Sequence, residues 1–561
     1  MNIPDTPNET GEITVRVTGT GKTVSCPYGT AADTLLETCG IDGKDTVALR
    51  VNNAILPLKT RIEVSSTLEP VPLLSPEGAM IYRRSLSFLL AVASAKLFPG
   101  RRLQVGHSLG NSYYYTFASG RPPSNEEITA LEEEMRLLVS ENLPIVFKYL
   151  SYGEATEVFT REGRLDMSML LQQRSSARIK VNECSGFMDI YIEPLVPYTG
   201  ILGVFVIMPY SDGFLLRFPE SGTMEIGSFT DEPKIFSVYS EYKKWGRIIG
   251  VRAVGELNSM IAERKFLDFI RIAEAHQTRK VSEIAEEIYR RRHNIKTVLL
   301  AGPSSSGKTT TAKRLSIELM VMGIKPVAIS LDSYYVGKDK TPKDENGEPD
   351  YERLDALDIV HLNEQLQAVY GGDEVHMPSY DFKTGISEKG AGDKISMDRR
   401  TMLIIEGIHA LNDDLTPGIP RGSKFKLYVS ALTQLNLDDH NRIPTSDNRL
   451  LRRIVRDSQF RGVDAATTIK VWPKVRDGER RHIFPFQNSV DVAFNSALDY
   501  ELSVLKFYAE PLLRSVKPDC REYSEAVRLL SFLENFTPIP PHHVPGTSIL
   551  RGFIGGSEFK Y

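Results

Sequence analysis

Residues 302 to 309 read Gly302-Pro303-Ser304-Ser305-Ser306-Gly307-Lys308-Thr309, the spacing G-x-x-x-x-G-K-T, and this stretch decides the fold. Its glycines let the backbone curl until successive N–H groups converge on a triphosphate. Lys308 reaches the β/γ-phosphates, and the Thr309 hydroxyl is placed to ligate Mg²⁺. Upstream, Thr297-Val298-Leu299-Leu300-Ala301 is a short apolar run suited to a buried parallel strand. Downstream, from Thr310 to Met322, Leu315, Ile317, Leu319 and Met322 punctuate a segment without Gly or Pro, as a helix would. Strand, glycine loop and helix N-terminus together make an anion site, because the helix dipole adds to the free N–H groups. An ordinary Ser/Gly turn does not need that context. Gly302 to Thr310 is therefore read as an ATP-binding loop.

The chain has 561 residues, too many for one core, and the length prior gives roughly three to four domains. It is 41% hydrophobic and 25% charged with a net charge of −4, so no global attraction to nucleic acid or anionic membrane is expected. Cys26, Cys39, Cys184 and Cys520 lie far apart with no C-x-x-C pair. That is poor material for zinc or disulfides and fits a reducing cytoplasm. The opening MNIPDTPNETGE is polar and acidic, which argues against a signal peptide. The longest apolar stretch, Ile201 to Met208, is far short of the ~20 residues that span a bilayer. A cytoplasmic location is expected.

Outward from the loop, the pattern predicts an α/β multidomain chain. Residues 1–72 alternate strand-like runs (Ile13 to Val17, Thr23 to Cys26, Val47 to Val51) around a short helix, Ala31 to Cys39, as a β-grasp would. Residues 73–230 form an α+β domain. One of its helices runs from Ala79 to Phe98, and a second starts at Ser124, with Glu127 completing a capping box, and continues to about Tyr149. Strand-like segments follow at Phe187 to Ile192 and Gly203 to Met208. Residues 231–293 read as a helical linker of two or three helices ending in Arg290-Arg291-Arg292, a charge run suited to a helix C-terminus. Residues 294–515 form the phosphate-loop domain with a parallel sheet. Residues 516–561 add a helix from Glu522 to Leu533 and a tail, Ile549 to Gly556, apolar enough to dock.

Within 294–515 the carboxylates fall where phosphoryl transfer needs them. Val327 to Leu331 is a second buried strand with Asp332 at its C-terminal end, the side of an open α/β sheet where ligands lie. A carboxylate there can take the proton of an attacking hydroxyl. Met402 to Ile405 is a third strand ending in Glu406, the arrangement that steadies Mg²⁺ with Thr309. Arg453, Arg456 and Arg461 share a face of an amphipathic segment suited to a lid over a transferring phosphoryl group.

Several ordered motifs resemble the uridine kinase/phosphoribulokinase family. They are the loop GPSSSGKTT, LDSYY at 331–335, Ala356-Leu357-Asp358, PSYDF at 378–382, EGIHAL at 406–411 and RRIVRDSQFRG at 452–462. The resemblance implies a P-loop kinase using ATP and Mg²⁺, with Asp332 as general base toward a nucleoside 5′-hydroxyl and Lys308 on the phosphates. It implies that Tyr335 and Tyr380 help form the nucleoside pocket and that Glu352 stands where the family has a diol-binding Asp. Arg453 would face the substrate, and Arg456 and Arg461 the ATP phosphates. Two positions depart: Gly385 replaces a base-reading His, and Val463 replaces a second arginine, which leaves the acceptor open.

Residues Gly11 to Met208 resemble the N-terminal region of threonyl-tRNA synthetase, a TGS domain followed by the editing-like second additional domain. Val51-Asn52-Asn53, Pro99-Gly100, Gly106 with Asn111, and Tyr113-Tyr114-Tyr115 carry the likeness. That family's metal ligands are lost here: Arg84 and Phe88 stand at the two helical histidines, and Tyr191 and Leu195 fall in the segment of the later Cys and His. At those positions no imidazole or thiolate remains to hold zinc, so the half is expected to serve binding, regulation or dimerisation, and lone His107 to be structural.

Two classes of function follow. One is an ATP-dependent kinase of a nucleoside, with a sugar or polyol acceptor as the runner-up. The other is a nucleotide-gated regulatory protein whose synthetase-like half binds RNA or tRNA; its GTPase variant fails because no N-K-x-D motif occurs. A homo-oligomer is the expected assembly.

Overall fold

The computed structural model describes residues 11–41, 43–118, 121–174, 176–345, 347–381 and 384–560. Phe382 of the PSYDF motif and most of the acidic N-terminal stretch lie outside the described residues. The β-grasp reading holds: a five-stranded sheet runs in the order Thr23–Pro27, Glu12–Val17, Ser66–Pro72, Thr46–Val51, Ala54–Pro57. Glu12–Val17 is parallel to Ser66–Pro72. The helix Ala32–Thr38 buries Leu35 and Leu36 against Val15, Val17 and Leu49. Its hairpin turns at Asn52 and Asn53, with φ of 47° and 62°, the left-handed pair that a two-residue turn demands.

In the next region the helix Pro76–Leu97 starts at Ser75, whose side chain accepts from Gly78 N–H. It lies beside a four-stranded antiparallel sheet built from Leu103–Ser108, Ser112–Phe117, Val206–Tyr210 and Gly213–Arg217. The capping box is present, Ser124 Oγ accepting from Glu127 N–H at 3.3 Å and Glu127 accepting from Ser124 N–H at 2.9 Å. That helix ends earlier than the sequence suggests, spanning Asn125–Ser140. Asn142 turns left-handed at φ 48° and Pro144 follows, which stops helical hydrogen bonding. Residues Val146–Ser151 instead form a strand, antiparallel to Arg178–Cys184.

Three helices follow, Pro233–Ile249, Val254–Ala262 and Phe266–Arg290. Phe269, Ala273, Ile284 and Ile288 share one core with Leu170 and Val181 on one side and Val298, Leu315 and Ile404 on the other. This middle segment is therefore packed into both neighbours. Among the described residues no helix is long and apolar enough to cross a membrane.

The C-terminal half is built on five parallel strands. In chain order they are β1 (Thr297–Ala301), β2 (Lys325–Ser330), β3 (Thr401–Glu406), β4 (Lys424–Ser430) and β5 (Val492–Asn495), arranged spatially as β2-β3-β1-β4-β5. β1 and β3 are buried at every position, as strands covered on both faces must be. Helix α1 (Lys308–Val321) lays Ala312, Leu315 and Leu319 onto the sheet. Two further helices, α2 (Thr445–Arg456) and α3 (Ala465–His482), stand over the C-terminal strand ends. Helix α4 (Tyr523–Leu533) precedes a tail that docks: Ile539, Ile549, Leu550, Phe553 and Ile554 are all buried.

Candidate functional site

β1 delivers the chain into the loop, and sterics explain both of its glycines. A Cβ on Gly302 would stand 2.0 Å from the Val429 carbonyl oxygen. Gly307 has φ 85°, and a Cβ there would stand 2.7 Å from Ile549 Cγ2. Ser305 also takes a left-handed conformation, φ 59°, an unfavourable one for a side-chain-bearing residue that tightly built sites tolerate. Lys308 folds across the loop, its Nζ donating to the carbonyls of Gly302 (2.9 Å) and Pro303 (3.2 Å). Burial lowers its pKa, opposed by the nearby carboxylates of Glu406, Asp332 and Glu479.

Strand register sets the acidic side. Glu406 lies beside Leu300 on β1 and Ser330 on β2. It is 8% exposed and accepts from Thr309 Oγ1 and Ser330 Oγ, each at 3.1 Å. Burial, followed by the neighbouring Asp332 charge, pushes its pKa up, while Lys308 and the two hydroxyls oppose. Asp332 sits exposed in the single turn Leu331–Tyr334 that follows β2. Two adjacent carboxylates with a hydroxyl between strand ends form a hard oxygen set carrying unbalanced negative charge, a set that fits Mg²⁺ shared with phosphate oxygens.

The three lid arginines do converge, on a residue the sequence reading passed over. Asp457 is buried and accepts from Arg453 Nε (3.2 Å), Arg456 Nε and Nη2 (3.1 and 3.0 Å) and Arg461 Nη1 (3.3 Å). A π-turn over Asp457–Arg461 continues α2 and keeps Arg461 within that reach. Arg453 also donates to Ser304 Oγ at 2.9 Å, so it touches the loop itself. Burial and the facing Arg461 push Arg456 down to about 10.

Two other arginines of α2, unassigned in the sequence, brace the loop. Arg449 pairs with Glu479 of α3 at 2.5 and 2.7 Å, and the pair holds both polar groups of one peptide residue: Arg449 donates to Ser304 O (3.0 Å), and Glu479 accepts from Ser304 N–H (2.8 Å). Arg452, fully buried, donates to Ser305 O (3.2 Å), Ser496 O (2.9 Å) and Glu501 (2.6 Å). Ser496 Oγ donates to Ser306 O at 2.5 Å. The carbonyls of Ser304, Ser305 and Ser306 are thus held from outside. The signal was present in the run Arg449, Arg452, Arg453, Arg456, whose spacing puts members on two faces of one helix.

The expected acceptor residues come together beyond β2. Tyr335 lies edge-on to Tyr351 (5.6 Å between ring centroids, 88°) and 5.5 Å from Tyr380, and its hydroxyl donates to the Tyr351 carbonyl. Tyr351 was not foreseen. Glu352 is pushed up to about 7, by burial first and then by the Glu479 charge, with Arg453 and Lys308 opposing. Gly385 occupies a tight turn at φ 71°, where a Cβ would meet Lys338 Cβ at 2.8 Å; its N–H donates to Asp381 O and its carbonyl accepts from Lys338 N–H. No larger residue fits that turn without strain. Val463 follows the left-handed Gly462 and donates its N–H to Asp457 O.

In the N-terminal half, Arg84, Phe88, Tyr191 and Leu195 are neighbours. Arg84 pairs with Glu193 and donates to Pro194 O (3.1 Å), Phe88 meets Tyr191 edge-on at 5.7 Å, and Tyr191 and Leu195 are buried in the same core. His107 stacks on Tyr239 at 5.4 Å, and burial, followed by Arg442, pushes it down to about 3, so it is neutral at physiological pH.

Residues 297–503 match the model of the Phosphoribulokinase / Uridine kinase family. The N-terminal region aligns with threonine–tRNA ligases. With that of Desulfovibrio desulfuricans it shares 34% identity over 154 residues, 27% of this chain and 24% of the relative. With that of Nitratidesulfovibrio vulgaris it shares 27% identity over 172 residues, 30% of this chain and 27% of the relative. The chain therefore spans about a quarter of the length of these curated relatives. Among solved structures, a Bacillus stearothermophilus protein described as a possible uridine kinase gives a TM-score of 0.24 at 19% identity, covering 37% of this chain and all of that one. The D-glycerate 3-kinase of Cryptococcus neoformans gives 0.22 at 12% identity, covering 45% and 87%.

Proposed function

We propose that this chain, whose residues 297–503 carry the phosphoribulokinase/uridine kinase pattern, is an ATP- and Mg²⁺-dependent kinase. It transfers the γ-phosphoryl group to a hydroxyl, with a nucleoside 5′-hydroxyl as first choice and a sugar or polyol as second. One observation carries the reading. The phosphate loop, Asp332 and Glu406 meet at the C-terminal ends of three adjacent parallel strands, with Thr309 bonded to Glu406.

In this mechanism the loop N–H groups and Lys308 hold the triphosphate. Asp332 accepts the proton of the acceptor hydroxyl as its oxygen forms the new P–O bond; the bond to the ADP oxygen breaks in line. Arg456 and Arg461 leave Asp457 to neutralise the transferring group, and Arg453, already on Ser304, faces the acceptor. Mg²⁺, held by Thr309 and Glu406, would supply charge neutralisation on the phosphates. Tyr335, Tyr351 and Tyr380 offer rings to a base, and Glu352 offers oxygens to a diol.

The test is a panel of nucleosides, sugars and polyols incubated with labelled ATP, for wild type and Asp332→Asn. The reading expects one acceptor class to be labelled, and Asp332→Asn to lose about 10²–10⁴-fold in transfer while still binding ATP. Unchanged transfer in Asp332→Asn refutes the base assignment. ATP hydrolysis stimulated by RNA, with no labelled small molecule, would favour the nucleotide-gated RNA-binding alternative.

A further inference from the structure

We infer that the C-terminal strap, residues 548–555, belongs to the nucleotide site, and that Ile549 is a positioning residue that keeps the phosphate loop in its anion-receiving shape. The inference rests on the kinase reading and adds to it a segment outside the residues matched to the kinase family.

Three contacts place the strap on separate parts of the site. Ile549, fully buried, sits with Cγ2 in the space a side chain at Gly307 would need. Gly307 is the left-handed residue at which the loop becomes α1, so its conformation aims the N–H groups of the helix start. Phe553 lies under the Arg452 guanidinium, 4.9 Å from its ring centre, and Arg452 is the group holding the Ser305 carbonyl outward. Gly555 reaches the π-turn, where a Cβ would come within 3.2 Å of Gln459 and 3.7 Å of Phe460, just before Arg461. The strap is held in shape by Arg551, which donates to the carbonyls of Pro541, Val544 and Gly555.

The physical consequence is directional. A peptide's C=O and the N–H of the next residue point to opposite sides, so holding the Ser306 carbonyl outward on Ser496 turns the Gly307 N–H inward, while Arg452 on the Ser305 carbonyl fixes the Ser306 N–H in its bond to Pro303 O. Ile549 closes the same outer surface with an apolar group, so no water competes for those carbonyls. Removing its methyls opens a gap behind Gly307 and lets the turn relax. An N–H turned off the phosphates forfeits a hydrogen bond to a charged group, an affinity loss of about tenfold or more.

The experiment uses the full chain and a fluorescent ATP analogue with Mg²⁺, which needs no acceptor. Four variants are compared for analogue affinity and for melting midpoint: Ile549→Ala, Ile549→Val, Phe553→Ala and Val544→Ala. Val544 is buried in the same tail and serves as the purely structural control. We expect Ile549→Ala and Phe553→Ala to weaken the analogue about tenfold or more, Ile549→Val to stay within about twofold, and Val544→Ala to lower the midpoint with unchanged affinity. Equal affinity changes in Ile549→Ala and Val544→Ala, or none in Ile549→Ala, would overturn the inference. Failure to label any acceptor would sink the kinase reading while leaving this comparison decisive.

Discussion

Gly478 lies inside α3, and a methyl group there would stand 2.5 Å from Glu352 Cβ and 2.7 Å from its Cγ. Carbon atoms rest about 3.5–4.0 Å apart, so Gly478→Ala forces the Glu352 stem to move by about 1 Å. Two stability terms oppose each other. Alanine improves the helix by about 1 kcal/mol, and overpacking costs about 1–3 kcal/mol. The melting midpoint therefore changes little. Catalysis has no such offset. If Glu352 grips the acceptor, a shift of about 1 Å costs up to ~10²-fold, about 2.7 kcal/mol at 1.36 kcal/mol per decade. ATP affinity stays within a few-fold, because the adjacent Glu479 remains tied to Arg449 and Ser304. The assay is steady-state kinetics with the acceptor varied at saturating ATP, alongside ATP binding and a melting curve. An acceptor kcat/KM within about threefold of wild type, in a folded protein, would refute the placement of Glu352 against the acceptor.

Glu406→Gln keeps an oxygen for Thr309 and Ser330 but removes the charge; the Mg²⁺ concentration for half-maximal activity is expected to rise about tenfold or more, and an unchanged Mg²⁺ titration would dismiss the metal role. Asp499 is pushed up from 3.8 to about 7, chiefly by burial, and accepts from Gln434, whose Oε1 has no partner among the described residues. Its folded carboxyl holds a proton more tightly than the unfolded one, so its stabilisation is complete below about pH 4 and lost as pH rises through 7. Asp499→Asn is therefore expected to gain about 1–3 kcal/mol over wild type between pH 5 and 8, read from urea midpoints; a constant difference would contradict the burial argument. Arg528 on α4 joins Asp447 at the start of α2 (2.6 Å) to Glu525 and approaches Glu193 (3.9 Å). Arg528→Met leaves Asp447 buried and uncompensated at about 3–5 kcal/mol, and hydrogen exchange is expected to quicken in α2; equal protection in both proteins would show the bridge to be idle.

How much of this could be read from the chain depends on whether a signal is local. The phosphate loop, the strand ending in Glu406 and the Ser124 capping box are short patterns whose residues act within a turn or two, and all are present as read. The capping box marks where the helix after Ser124 begins but carries no signal for its end, which the left-handed Asn142 and Pro144 impose. Long-range partners were invisible. Nothing near Ser304 announces that Glu479 will accept its N–H, and nothing near Gly307 announces Ile549. The docking of the tail could be expected from its apolar composition, but not the surface it docks on. Asp457 was quoted in the arginine motif, yet its role emerges only when a π-turn brings Arg461 back to it. Gly385 looked like a lost specificity residue; its φ of 71° gives it a backbone reason as well.

Asp457 also changes what it means for this lid to be rich in arginine. Three guanidinium groups share one buried carboxylate before any nucleotide arrives, so about one of their three charges is already balanced and the rest are left for the phosphates. Each phosphate contact is worth only its margin over the bond to Asp457. Nucleotide affinity is therefore expected to fall with salt less steeply than three unpaired arginines would require, but more steeply than if each had its own carboxylate.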